Sequence, residues 1–157
     1  MHTWMIRGLV MSAVHTVARV LLGMAIVSSP FDSTWWKTLA LIAVIAVALI
    51  GGLIDGVADG RKHSEPEDYN DLTVRWLSAG LLAGLITGIA CWILGNHVVD
   101  GMGQNPIYIE VFVGGAFTAL LIFVPALLGA AVGRRIGQRG NKQPAAVEPA
   151  EPQDALA

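Results

Sequence analysis

Arg19 lies one helical turn beyond His15, inside the first of four apolar runs in a 157-residue chain. A guanidinium and an imidazole at that spacing share one helix face, where they would hold an anion or a polar ligand beside a proton-sensitive neighbour. Ionisable groups in a bilayer-crossing segment face the protein interior or a wet cavity. The first run therefore needs either a buried partner for Arg19 or a polar task for it.

Both readings are concrete. Counting along two helices of the same direction puts Arg19 level with Thr87. Pro125 lacks the N–H that would bond the carbonyl of Leu121, which frees an acceptor at a similar height. With no acidic residue expected at that depth, Thr87 Oγ1, the Leu121 carbonyl and water would satisfy the guanidinium. In the functional reading His15, Arg19, Thr87 and Cys91 instead border a ligand or coupling site at the bilayer midplane.

A second constellation, Asp55-Gly56-Val57-Ala58-Asp59-Gly60-Arg61-Lys62, ends the second run. Asp55 and Asp59 are one turn apart and would grip a cation, pair with Arg75, orient the following loop, or simply make a hydrated helix end with local salt bridges. They are not an EF-hand, which needs a longer loop with more oxygen ligands. Within the acidic loop that follows (Glu65, Glu67, Asp68, Asp71), a residue from Asp68 to Asn70 would cap the third helix.

Enzymatic signatures are missing. His2, His15, His63 and His97 are scattered, and no nucleophile elbow, P-loop or metal-ligand pair is present, so neither catalysis, a metal nor a cofactor is expected. Cys91 is the single cysteine, which excludes an internal disulfide.

These residues must be positioned by helices in a membrane. The chain is 54% hydrophobic and only 14% charged, with a mean hydropathy of +0.60, too apolar for an ordinary soluble domain. Four stretches, about 8–28, 37–57, 76–96 and 111–133, reach the length needed to cross a hydrocarbon core about 30 Å thick. The expected fold is all-α, an integral membrane bundle of four transmembrane helices over residues 1–139. A tail at 140–157, rich in Pro, Ala, Glu and Gln, is expected to be disordered in the cytoplasm.

Eight of ten Lys and Arg residues (Arg7, Arg61, Lys62, Arg75, Arg134, Arg135, Arg139, Lys142) fall on one side of these spans, and Lys37 alone on the other. The positive-inside rule then places both termini in the cytoplasm of a plasma (inner) membrane protein. Arg134, Arg135 and Arg139 would contact anionic lipid rather than nucleic acid. Arg7, the apolar stretch and Val27-Ser28-Ser29 have the outline of a signal peptide, but His15 and Arg19 interrupt it, so the segment is expected to be retained.

On the first helix Gly8, Ser12, His15, Thr16, Arg19 and Gly23 form a stripe about 100° wide, the remainder being chiefly Leu, Val, Ile, Met and Ala. Gly80, Gly84 and Gly88 form a small-residue ladder on the third helix that would let the first approach closely. Trp4, Trp35, Trp36, Trp76 and Tyr108 fall near span ends, as an interfacial belt would.

Trp4-Met5-Ile6-Arg7-Gly8, Arg19, and Asp55-Gly56 followed by Asp59 together resemble a small actinobacterial four-span family, B-4DMT, described as drug/metabolite-transporter-like. The resemblance covers about residues 4–137 and implies a transporter. The chain departs from four-span multidrug exporters, whose first helix carries an acidic residue for proton coupling. With His15 and Arg19 there instead, an anionic or neutral substrate is expected. Four spans leave little room for a closed pathway, so transport would favour a homo-oligomer. The competing reading is an accessory or scaffolding subunit, packed against other membrane subunits of an envelope or respiratory complex.

Overall fold

A computed structural model describes residues 3–63, 69–102 and 104–139. Among these the chain is all-helical: α1 (Thr3–Ser28), a 3-10 turn (Pro30–Asp32), α2 (Ser33–Lys62), α3 (Leu72–His97) and α4 (Gly115–Arg139), the last preceded by a π-helical segment, Ile109–Gly114. Four helices are long and apolar enough to cross a membrane. The tail at 140–157 and the acidic residues Glu65, Glu67 and Asp68 lie outside the described residues.

The helices alternate in direction, so the start of α1 and the end of α4 lie at one end of the bundle. They pack as a ring in the order α1, α3, α4, α2, with α1 and α2 closing it only loosely. Small residues decide that order. Gly52, Gly56 and Gly60 of α2 press on the backbones of Ala126, Ala130 and Arg134, while Gly129, Gly133 and Gly137 of α4 press back on Leu49, Leu53 and Val57. Both ladders advance four residues per contact in the same sense, so α2 and α4 are parallel and interlocked. Between helices in lipid there is no hydrophobic drive, and close backbone packing of this kind supplies the attraction.

The ladder expected to receive the first helix goes elsewhere. Gly80, Gly84 and Gly88 of α3 meet Ala119, Gly115 and the Glu110–Val111 backbone of the fourth helical segment, with a Cβ on Gly80 falling 2.8 Å from the Ala119 carbonyl oxygen. Pro125 is buried in α4 one residue before Ala126, the residue that Gly52 contacts. The fourth helix thus carries small residues on two faces and is the common partner of α2 and α3. The α1 stripe is as expected, with Gly8, Met11, Ser12, His15 and Gly23 buried. Gly8 packs on Ala79 and Leu82 of α3.

Trp76 is a correction to the expected aromatic belt. It is 2% exposed and belongs to the core, where Gly51 of α2 leaves room for its ring and Arg7 lies over it at 6.0 Å. Trp35, Trp36 and Tyr108 are exposed as an interfacial residue would be. The connections are shorter than the apolar runs suggest: α2 continues to Lys62, and Asp71, not Asp68 to Asn70, caps α3 by accepting from the Val74 N–H at 3.0 Å.

Candidate functional site

Arg19 has an acidic partner. Its Nη1 donates to Glu110 Oε2 at 2.9 Å and its Nη2 to Glu110 Oε1 at 3.2 Å, a two-pronged ion pair joining α1 to the π-helical segment. Asn105 Nδ2 donates to the same Oε1 at 2.9 Å, and Asn96 Nδ2 donates across to the Asn105 carbonyl at 3.4 Å. The expected satisfaction of Arg19 by Thr87, the Leu121 carbonyl and water is therefore overturned.

Two physical reasons explain the difference. Glu110 falls where the apolar run begins and reads as a loop residue. The π-helical segment instead turns its side chain inward, leaving the residue 5% exposed. The wide turn, in which Gly115 N–H bonds to the Glu110 carbonyl, is a local irregularity of the kind often found at functional sites. Gly114 completes the fit: a Cβ there would lie 3.1 Å from Glu110 Oε2 and 3.9 Å from Arg19 Nη1.

The second reason is helix stagger. Thr87 Oγ1 donates to the Ser12 carbonyl at 3.4 Å, seven residues before Arg19, so α3 is displaced along α1 by about 10 Å relative to a level count. Cys91, buried, then neighbours Thr16 and lies within electrostatic reach of Arg19 and Glu110. Of the four residues expected to share a site, His15 and Arg19 border one cavity, Thr87 bonds the α1 backbone, and Cys91 lies beside the Arg19–Glu110 pair without lining that cavity.

His15 is 6% exposed; its Nε2 lies 3.5 Å from Thr118 Oγ1 of α4, and its Nδ1 has no hydrogen-bond partner among the described residues. A buried polar atom left in this way calls for a water or a ligand. His15 and Arg19 border a cavity of about 340 Å³ in the loose seam between α1 and α2, floored by Thr118, Phe117 and Gly114. Lys37, near the start of α2, stands on its rim. The ionic groups around it are Arg19, Glu110 and Lys37, one carboxylate against two cations.

Comparison with models of known protein families and with characterised proteins gives no match.

The two aspartates at the other end of α2 separate rather than cooperate. Asp55 takes Arg7 of α1 in a two-pronged pair. Asp59, 4% exposed, accepts from Arg134 Nε at 2.8 Å and from Asn70 Nδ2 at 2.6 Å, and lies 3.2 Å from His63 Nδ1. Among the described residues no cluster of three potential metal ligands exists. Of the expected roles, the aspartates take local salt bridges, Asp59 also tying Asn70 to the end of α2, and neither aspartate takes Arg75. Arg134 is likewise not a free lipid contact: it bonds Asp59 and lies 4.9 Å over the Tyr69 ring, leaving Arg135 and Arg139 exposed.

Asp59→Ala removes these bonds and leaves the Arg134 guanidinium with the Asn70 carbonyl but no carboxylate. A loss of about 1.5–3 kcal/mol is expected for the charged hydrogen bonds. Thermal melting in mild detergent checks it, and in an Arg134→Met background the same substitution must cost clearly less.

Proposed function

We propose that this chain is a multi-pass inner-membrane protein, with both termini in the cytoplasm, that binds and translocates an anionic or neutral small molecule through the α1–α2 seam. The observation that supports it is the opening of His15, Arg19 and Thr118 onto a cavity of about 340 Å³ instead of its closure by side-chain packing, with Glu110 bonded to Arg19 from behind. Arg19 forms part of the wall of a space whose rim carries a further cation, Lys37, with Glu110 behind Arg19, so the site keeps a net positive balance suited to a monoanion or a polar neutral group. The resemblance to the four-span transporter-like family points the same way.

In this reading Glu110 holds Arg19 in place and moderates its charge, which favours release of a bound anion over permanent capture. His15 Nδ1 supplies a hydrogen-bonding group to the cargo. Alternating access by so small a bundle fits a homo-oligomer, in which seams of two copies meet.

The test is ligand-induced stabilisation of purified protein against a panel of soluble organic monoanions and neutral polar molecules. A true ligand at 100 times its Kd stabilises by about 2.7 kcal/mol. At least one compound should raise the melting temperature of the wild type and not of Ala40→Phe, which fills the cavity from α2, and should be taken up by proteoliposomes holding the wild type alone. Absence of any such compound, together with isolation from native membranes at fixed stoichiometry with unrelated subunits, would establish the accessory role instead.

A further inference from the structure

Beside the polar cavity and farther along α2, a second hollow of about 400 Å³ runs along the same seam, walled by Val14, Val17 and Leu21 of α1 and Ala43 and Val47 of α2. Ala18 and Val44 border both hollows. Together they make one furrow that is charged on the Lys37 and Arg19 side and free of polar side chains on the Val17 and Val47 side. From Lys37 to Val47 it extends about 15 Å along α2 at 1.5 Å per residue.

Building on the proposed function, we infer that the cargo is a single-chain monoanionic amphiphile that enters sideways from the bilayer, its head between Lys37 and His15 and its tail in the α1–α2 furrow. Three observations carry this. The net charge of the ionic groups at the head position is one positive, which matches one negative head and leaves a cationic amphiphile repelled. His15 Nδ1, buried and unpartnered, offers the hydrogen bond that a carboxylate or hydroxyl would satisfy. The walls of the second hollow are small or branched apolar side chains spaced along one seam, so one alkyl chain lies against both helices while two would spill into lipid.

The loose packing of α1 on α2 has its own cause, since Gly52, Gly56 and Gly60 of α2 are spent on α4 and Gly51 on Trp76 of α3. The seam is left with Ala13, Ala18 and Ala43 beside Val and Leu, side chains too short to interdigitate across it. A hydrocarbon tail there recovers van der Waals contact that the helices do not make with each other.

The experiment measures binding of dodecanoate, dodecanol and dodecyltrimethylammonium to the full-length protein in nanodiscs of zwitterionic lipid, with benzoate as a tail-less anion. Dodecanoate should bind at least tenfold more tightly than either other amphiphile. Lys37→Glu and Ala43→Phe should each weaken it at least tenfold; both residues are exposed, so neither substitution threatens the fold. Equal binding of the three amphiphiles, or indifference to both substitutions, overturns the inference as simple partitioning. Benzoate binding lost in Ala40→Phe without selective dodecanoate binding would retain the proposed function and reject the amphiphile. Failure of all four probes to bind would reject this inference, leaving the proposed function to be decided by its own panel and by subunit co-isolation.

Discussion

Glu110→Ala destabilises the bundle by about 3–5 kcal/mol, the cost of breaking a buried ion pair by removing one partner. Glu110 is 5% exposed, and three hydrogen bonds, two from Arg19 and one from Asn105, converge on its carboxylate. Its loss leaves a guanidinium inside an apolar run with nothing to neutralise it. Even in isolation such a group costs about 2.5–3.5 kcal/mol to insert at a helix centre. It also releases Asn105, the tie between the α3–α4 connection and the ion pair, so the distal end should loosen first.

Unfolding in a titration of denaturing detergent, followed by far-ultraviolet circular dichroism, gives the measurement. The double variant Arg19→Met, Glu110→Leu should recover most of the loss, since no charge is then stranded. A Glu110→Ala protein as stable as wild type would show that Arg19 finds another acceptor and would remove the ion pair from the account of the site.

Gly56→Ala is expected to cost more than about 3 kcal/mol, beyond the usual range for overpacking. The added Cβ falls on the carbonyl of Ala130 in α4, and two turns of neighbours, Gly52 on Ala126 and Gly60 on Arg134, hold the helices at the same distance. Backbone meets backbone there, so no rotamer change relieves the overlap. The helices must separate along their length, which weakens the tightest interface of the bundle and pulls Asp59 away from Arg134. Gly51→Ala on the neighbouring face makes a sharp control: its Cβ would meet only the Trp76 ring edge at 3.0 Å, and a small tilt of that ring absorbs it. Comparable losses for the two variants would show that the α2–α4 approach is looser than described.

The existence, number and approximate extent of the four long helices were legible from residue order alone, because twenty consecutive apolar residues have few alternatives. The polar stripe on α1 was legible for the same kind of reason: a period of 3.6 puts Gly8, Ser12, His15 and Arg19 on one side wherever the helix goes. Periodicity, however, says which residues share a face and not which helix that face meets. Gly80, Gly84 and Gly88 were readable as a packing surface, yet their partner is the fourth helix and not the first.

Glu110 shows the limit most clearly. It lies at the border of an apolar run and has no periodic companion, so no one-dimensional signal distinguishes an inward carboxylate from a loop residue. Its direction follows from one wide helical turn and from the room left at Gly114. Trp76 was misjudged for a similar reason. A tryptophan near a span end suits an interface, and only the glycine opposite it on α2 makes burial possible.

By itself the sequence determined that this chain forms four long apolar helices, that α1 carries His15 and Arg19 on a common face, and that glycine ladders mediate packing; these follow from local composition and helical geometry. Only the tertiary structure decided that α4 is the shared partner of α2 and α3, that Arg19 is held by Glu110, and that the α1–α2 seam stays open. Those outcomes depend on the relative stagger and rotation of helices, which are set by backbone fit between segments far apart in the chain.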